Sequence, residues 1–308
     1  MAEVKLQGTV IKSTGKEYRV QTSAQEKIIC RLKGALRLLN IKHTNPVCVG
    51  DEVILKQSGE QWVIDTILPR RNYIIRKSIN LSRQTHILAS NIDLAFLVVT
   101  PSHPKTSTGF IDRFLVTAAA YHIEVVLLFN KCDRWTLDDK IEAKHLGTLY
   151  AALGYTCIDT SATTGEGIQR IVLMSESKIC LFAGHSGAGK SSIINALVPG
   201  LHLKTGDVSH VHHKGKHTTT YAEMYEAENH AYLIDTPGIK ELGLVDMEKA
   251  EIASYFPEFS ALAKNCSFSD CQHINEPGCM VIEALNNGAL NHGRYHNYLS
   301  MRNDDKRD

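Results

Sequence analysis

Residues 184–191 read GHSGAGKS, a full match to the pattern GxxxxGK[ST]. The match lies between an apolar, β-rich run, KICLFA, and a run with helical spacing, SSIINALV. A glycine-rich turn between a strand and a helix lets the backbone curl until successive N–H groups aim at one point. Phosphate oxygens suit that point. The reading gives Gly184, His185, Ser186, Gly187, Ala188, Gly189, Lys190, Ser191 and Ser192 to the phosphates of a nucleotide. Lys190 reaches the β and γ groups, and the Ser191 hydroxyl meets Mg²⁺.

Such a loop needs a parallel sheet to launch it, and the surrounding chain supplies the pattern. DLAFLVVT and EVVLLFN are apolar and β-rich, as strands buried on both faces are. FIDRFLVTAAAYH between them has helical spacing. A helix near 137–152, a strand YTCIDTS, a helix after Gly165-Glu166-Gly167 and the strand KICLFAG follow. Strand and helix alternate, which predicts a parallel sheet with helices on its faces.

Three further motifs belong to the loop. Asp235-Thr236-Pro237-Gly238 follows the strand HAYLI. There Asp235 is placed to hold Mg²⁺ and the Gly238 N–H to touch the γ-phosphate. Between lies His210-Val211-His212-His213-Lys214-Gly215-Lys216-His217-Thr218-Thr219-Thr220. Thr219 or Thr220 is expected to supply the hydroxyl that meets Mg²⁺ when the γ-phosphate is present, and Thr220 is taken as the ligand. The histidines read as a polar loop, because no cysteine or carboxylate joins them as a metal set. Upstream, Asn130-Lys131-Cys132-Asp133 closes an apolar strand. The Asp133 carboxylate can accept guanine N1–H and its amino group, donors that adenine lacks. Lys131 can lie across the base and Asn130 can brace the loop. Ser161-Ala162, at the end of the next strand, is the expected partner of guanine O6.

The motif order is base, Ser-Ala, phosphate loop, threonines, DTPG. An ordinary GTPase starts at the phosphate loop and ends at Ser-Ala, so this order is a rotation. A parallel sheet tolerates rotation where the old ends lie close, and the join is expected within 163–178. Ile239 stands where many GTPases carry a water-orienting glutamine. Slow turnover without a partner is therefore expected. His217 is the candidate catalytic group, with a phosphate or RNA contact as its alternative role.

The N-terminal part differs. Residues 4–68 read as about five short strands with turn signals, which suits a small barrel of the OB type. Residues 1–80 hold 14 Lys/Arg against 7 Asp/Glu, whereas the remainder is acidic. That asymmetry points to a polyanion, and the barrel type to RNA. Lys12, Lys16, Arg19, Lys27, Arg31, Lys33 and Arg37 supply the charge, and Tyr18 and Trp62 are the candidate stacking platforms. The alternative is a barrel used for protein contacts alone. Residues 69–92 read as a connector.

Of 8 cysteines, Cys30, Cys48, Cys132, Cys157 and Cys180 are scattered and read as small buried residues. Cys266, Cys271, His273 and Cys279 crowd together beyond the last strand. Three thiolates and one imidazole suit tetrahedral Zn²⁺ in a closed, structural site, one ion per chain. No apolar run approaches the ~18 residues of a membrane span. MAEVKLQGTV lacks the apolar centre of a signal peptide, so a cytoplasmic location without membrane contact is expected.

The rotated order, the N-terminal barrel and the Cys-Cys-His-Cys tail resemble the ribosome small-subunit-dependent GTPase A family (RsgA, also called YjeQ). The run CSFSDCQHINEPGCMVIEAL and Arg294-Tyr295-His296-Asn297-Tyr298 look like its zinc domain. The resemblance implies an OB-fold domain over 1–70, a circularly permuted α/β P-loop GTPase domain over 71–240 and an α-helical zinc-binding domain over 241–308. It implies GTP and GDP as ligands and binding to the small ribosomal subunit and its rRNA. It also implies hydrolysis stimulated by that subunit, a late role in its maturation, and His217 as the switch histidine. A monomer is expected. A second reading is a nucleotide-gated RNA-binding module in which hydrolysis is incidental. A third, an ATP- or phosphate-transferring enzyme, conflicts with Asp133.

Overall fold

Strands β1 (Lys5–Ser13), β2 (Tyr18–Thr22), β3 (Lys27–Leu32), β4 (Glu52–Ser58) and β5 (Gln61–Ile67) close the N-terminal barrel in a computed structural model. It describes residues 4–34, 36, 46–77, 85–204, 222–235 and 247–303. The barrel order is β1-β2-β3-β5-β4, with β4 pairing back onto β1. β3 and β5 run parallel, and the other pairs are antiparallel. This is the expected OB-type barrel. The two-residue period of the strands turns Val10, Val20, Leu32, Val53, Leu55 and Ile64 inward.

The same period overturns one expectation. Tyr18 is only 1% exposed and fills the barrel interior, so it offers no stacking surface. Trp62 lies half-buried against the same core. Among the cations, Lys12 is tied to Glu223 at 2.9 Å and Lys33 to Asp65 at 2.6 Å. Lys16, Arg19, Lys27 and Arg31 are exposed, and Ile29, at 62% exposure, stands among the last three on the outer face of β2–β3. Arg37 lies outside the described residues. The basic face is thus narrower than the sequence suggests.

The stretch read as a connector is a hairpin, β6 (Tyr73–Lys77) paired with β7 (Thr85–Ser90). It is fastened to the barrel. Buried Asp51 accepts from Arg70 Nε at 2.6 Å and Nη2 at 2.7 Å, and from the Ser90 hydroxyl at 2.6 Å. The Ser90 N–H donates to the Val49 carbonyl at 3.0 Å.

The central sheet has β8 (Leu94–Val99), β9 (Glu124–Asn130), β10 (Thr156–Thr160), β11 (Ile179–Gly184), β12 (Glu223–Glu226) and β13 (Tyr232–Asp235). Its order is β10-β9-β8-β11-β13-β12, parallel except for β12. β8 is buried along its whole length, as its unbroken apolar run requires. Helices α1 (Thr108–Ala120) and α2 (Leu137–Ala152) pack on one face. Helices α3 (Ile168–Ser175) and α4 (Lys190–Leu197) cover the other. The Ser107 side chain caps α1, and Thr136 with Asp139 forms a capping box at the start of α2. The join of the rotated chain is only 176–178, between α3 and β11. One antiparallel pair, Lys12 with Glu223, makes the barrel and the central sheet continuous.

The tail is helical, as expected: α5 (Pro257–Ala263), α6 (Met280–Asn286) and α7 (His292–Arg302) surround Phe256, Phe259, Val281, Tyr298 and Met301. It docks on α1 and α2 through a buried polar cluster. Asp112, fully buried, accepts from Arg294 Nη1 at 2.5 Å, Asn297 Nδ2 at 2.6 Å and the Tyr150 hydroxyl at 2.7 Å. Arg294 also makes a two-toothed contact with Glu258 at 2.7 and 3.0 Å and lies 4.5 Å over the Phe256 ring. Burial lifts the Asp112 carboxyl above the usual carboxylate range, against the pull of Arg294 and the other donors. Removing Arg294 strands two carboxylates. Arg294→Ala is expected to cost about 3–5 kcal/mol in urea unfolding. A loss under about 1 kcal/mol would show that the cluster does not seat the tail.

Candidate functional site

Lys190 opens α4, and the residue before it, Gly189, has φ of +102° and caps the helix without a side-chain hydrogen bond. The first N–H groups of α4 therefore keep their capacity for an anion. Gly189 is also a packing requirement. A Cβ there would stand 2.2 Å from Asn130 Nδ2. Lys190, 7% exposed, folds its ammonium back on the loop, donating to the Gly184 and His185 carbonyls at 3.0 Å each. Burial lowers its pKa, and the nearby Asp235 carboxylate opposes that shift.

Asn130 ends β9 and is 2% exposed. Its Nδ2 donates to the Ala188 carbonyl at 2.8 Å, and its Oδ1 accepts from the Thr160 hydroxyl at 3.2 Å. Its carbonyl accepts from Trp135 Nε1 at 3.2 Å. Lys131 takes the left-handed conformation at φ 66°, and its ammonium donates to the Gly187 carbonyl at 2.7 Å and the His103 carbonyl at 2.8 Å. Burial lowers the Lys131 pKa and Arg134 adds to the effect, with Asp133 opposing. Asp133 follows on a short 3₁₀ turn (Cys132–Arg134), its carboxylate 3.7 Å from Arg134 Nε. Ser161 is buried, its N–H spent on the Glu166 carbonyl at 3.0 Å, and its hydroxyl accepts from the Thr163 and Thr164 N–H groups. Ala162 lies beside it at the head of the same turn. The fold thus brings the 130–133, 161–162 and 184–192 motifs to one edge of the sheet, at the C-terminal ends of β9, β10 and β11.

Asp235 ends β13 beside this loop. One carboxylate oxygen, Oδ2, accepts from the Ser191 hydroxyl at 3.2 Å. The other, Oδ1, is buried with no hydrogen-bond partner among the described residues. Burial raises the Asp235 pKa, with Lys190 and Ser191 acting against it. A buried orphan oxygen beside a hydroxyl suits a hard cation. His217, Thr219, Thr220, Gly238 and the flanking 210–220 and 236–239 segments lie outside the described residues. Thr160, Trp135 and the His103 carbonyl join the site without having been expected there. Trp135, one of only two tryptophans and two positions after Asp133, was the available signal.

In the tail, the ligand atoms of Cys266, Cys271, His273 and Cys279 all lie within 4.8 Å of one another, so the group can hold a metal ion. His273 Nδ1 is 3.8 Å from Cys266 Sγ and 3.4 Å from Cys279 Sγ. The loop is braced from within. The Glu276 carboxylate accepts from the Gln272, Ile274 and Asn275 N–H groups at 2.7–3.0 Å. Tyr295 and Tyr298 of α7 donate to the His273 and Gln272 carbonyls. Of the scattered cysteines, Cys30, Cys48 and Cys180 are buried, while Cys132 and Cys157 are half-buried. No described helix is long and apolar enough to cross a membrane.

Comparison with known proteins agrees with this geometry. The RsgA GTPase family model matches residues 67–245, and that for the RsgA N-terminal domain matches 7–62. The Small ribosomal subunit biogenesis GTPase RsgA of Bacteroides fragilis is 48% identical over 301 residues, covering 97% of each chain. That of Christiangramia forsetii is 49% identical over 300 residues, covering 96% of this chain and 95% of its own. The crystal structure of YjeQ from Thermotoga maritima superposes with a TM-score of 0.79 at 35% identity, over 99% of this chain and 100% of that one. YloQ, a circularly permuted GTPase, gives 0.72 at 25% identity, over 98% and 96%. With its rotated motifs on such a sheet, the chain belongs to the RsgA GTPase family.

Proposed function

We propose that this chain is a GTP hydrolase that binds the small ribosomal subunit, acts late in its maturation, and turns over GTP rapidly only when bound there. One observation carries the reading. The Asn130 side chain ties the 130–133 turn both to the phosphate loop and to β10. The relatives are small ribosomal subunit biogenesis GTPases by name, which supplies the partner.

Asp133 accepts guanine N1–H and its amino group, and the pinned Lys131 stem lies across the base. The Ser161 N–H is already spent, so guanine O6 is met by the N–H of Ala162. The 184–192 loop takes the phosphates, and the Lys190 ammonium exchanges two carbonyls for phosphate oxygens. Ser191, Asp235 and Thr220 would hold Mg²⁺, and Thr219 and the Gly238 N–H would serve the γ-phosphate. When bound, Mg²⁺ neutralises the charge that builds on the transferred phosphoryl group. His217 orients the attacking water, a task Ile239 lacks the atoms to perform.

The tail cluster holds Zn²⁺. Three thiolates and an imidazole are the donor set that Zn²⁺ favours, and their ligand atoms lie within 4.8 Å of one another. Four protein ligands leave no open position, so the ion folds the tail and takes no part in hydrolysis. The Arg19, Lys27 and Arg31 face of the barrel contacts rRNA phosphates by charge and shape. The chain works as a cytoplasmic monomer, with barrel, GTPase and zinc domains over 1–70, 71–240 and 241–308.

Three outcomes are expected. Asp133→Asn should weaken GTP binding on the order of a hundredfold and favour xanthosine triphosphate; unchanged GTP affinity in a titration overturns the base assignment. Small subunits should stimulate the wild-type GTPase rate, and His217→Ala should bind GTP normally yet lose that stimulation. A stimulated His217→Ala removes the histidine from the mechanism, and a wild-type rate indifferent to subunits removes the partner. Stripping the metal with a strong chelator should lower the melting temperature by about 10 °C. Identical melting curves, with metal content confirmed to be nil, would exclude a structural ion.

A further inference from the structure

We infer that Phe110, which belongs to no nucleotide motif, is the positioning residue that holds the phosphate loop, and that α1 connects it to the C-terminal domain. The inference rests on the GTP-binding reading above. His185, the first variable residue of the loop, lays its imidazole against the Phe110 ring, with centroids 3.9 Å apart and planes 32° from parallel. Phe110 is itself 8% exposed and anchored in the core under β8 and β9. The contact matters because of what the His185 backbone does. Its carbonyl accepts from the Lys190 ammonium at 3.0 Å and from the Ala188 N–H at 3.2 Å. Fixing the ring therefore fixes the carbonyl that sets the lysine and the curl of the loop. The other four residues between Gly184 and Lys190 are small, so His185 is the one long side chain by which the turn can be gripped.

The gripping element is well held. The Ser107 hydroxyl accepts the Phe110 N–H at 3.2 Å and caps α1. Four residues before that cap, the His103 carbonyl accepts the Lys131 ammonium of the base motif. Two residues after Phe110, Asp112 takes Arg294 and Asn297 of α7. The stretch 103–112, which leads into and opens α1, thus touches the base turn, the phosphate loop and the C-terminal domain. A displacement of that domain reaches the phosphates through Phe110.

A double-mutant cycle on the full chain tests the contact, with affinity for fluorescent GDP and GTP as the readout. Phe110→Leu and His185→Ala are each expected to weaken both nucleotides roughly threefold to tenfold. The loop holds phosphates common to GDP and GTP, so the two should fall together. The double variant should bind no worse than the weaker single variant, and Phe110→Tyr, which keeps the ring, should restore most of the affinity. Losses that multiply in the double variant overturn the inference. So does a Phe110→Leu protein whose urea midpoint falls while its nucleotide affinity stays at the wild-type value, because Phe110 is then ordinary core. A wild-type chain that binds neither nucleotide fails the GTP-binding reading instead, and is distinguishable on that ground.

Discussion

The side-chain amide of Asn130 is where the rotation of the chain is undone. The base turn precedes the phosphate loop by 58 residues in sequence, yet one carboxamide bonds to the loop with its nitrogen and to β10 with its oxygen. The donor and acceptor ends of an amide differ, so both bonds form in one orientation only. The geometry leaves no slack, since Gly189 must lack a Cβ for the amide to fit. The 130–133 turn and the 184–192 loop are thus locked in register with one another.

Rotation is cheap in this sheet because its order is indifferent to where the chain begins. β11 lies between β8 and β13 whichever strand comes first, and a three-residue turn is enough to join α3 to it. What rotation changes is the neighbourhood of the ends. The switch threonines run straight into β12, whose Glu223 pairs with Lys12 of the barrel. DTPG comes just before the tail in sequence. Both elements expected to sense the γ-phosphate are therefore sequence neighbours of an element that meets a flanking module.

Much of this was legible in the sequence because it rests on local patterns. Unbroken apolar runs mark β8 and β9, and the spacing of Cys266, Cys271, His273 and Cys279 marks the metal group. The hairpin at 73–90 was not legible, since YIIRK and THILAS carry no clean alternation. It is fixed by Asp51, Arg70 and Ser90, a contact spread over 39 residues. Tyr18 illustrates a different failure. Its type suits a stacking platform, but the parity of β2 decides its face, and that parity is set by pairing with β1 and β3. Asp112 and Arg294 are 182 positions apart, so no window of sequence contains both.

The two buried ion pairs, Asp51–Arg70 and Asp112–Arg294, share a logic. Each sits where the central domain meets a neighbour, and each has its carboxylate fully buried. Desolvating such pairs cancels much of their attraction, so they add little net stability over an apolar contact of the same shape. Their effect is on the alternatives. A module docked a few ångströms away would leave a carboxylate or guanidinium buried without its partner, which is far costlier than a misfitted leucine. Both flanking modules are thereby held to one seating. The barrel is thus fixed beside β12 on one side of the central sheet, and the tail against α1 on the other.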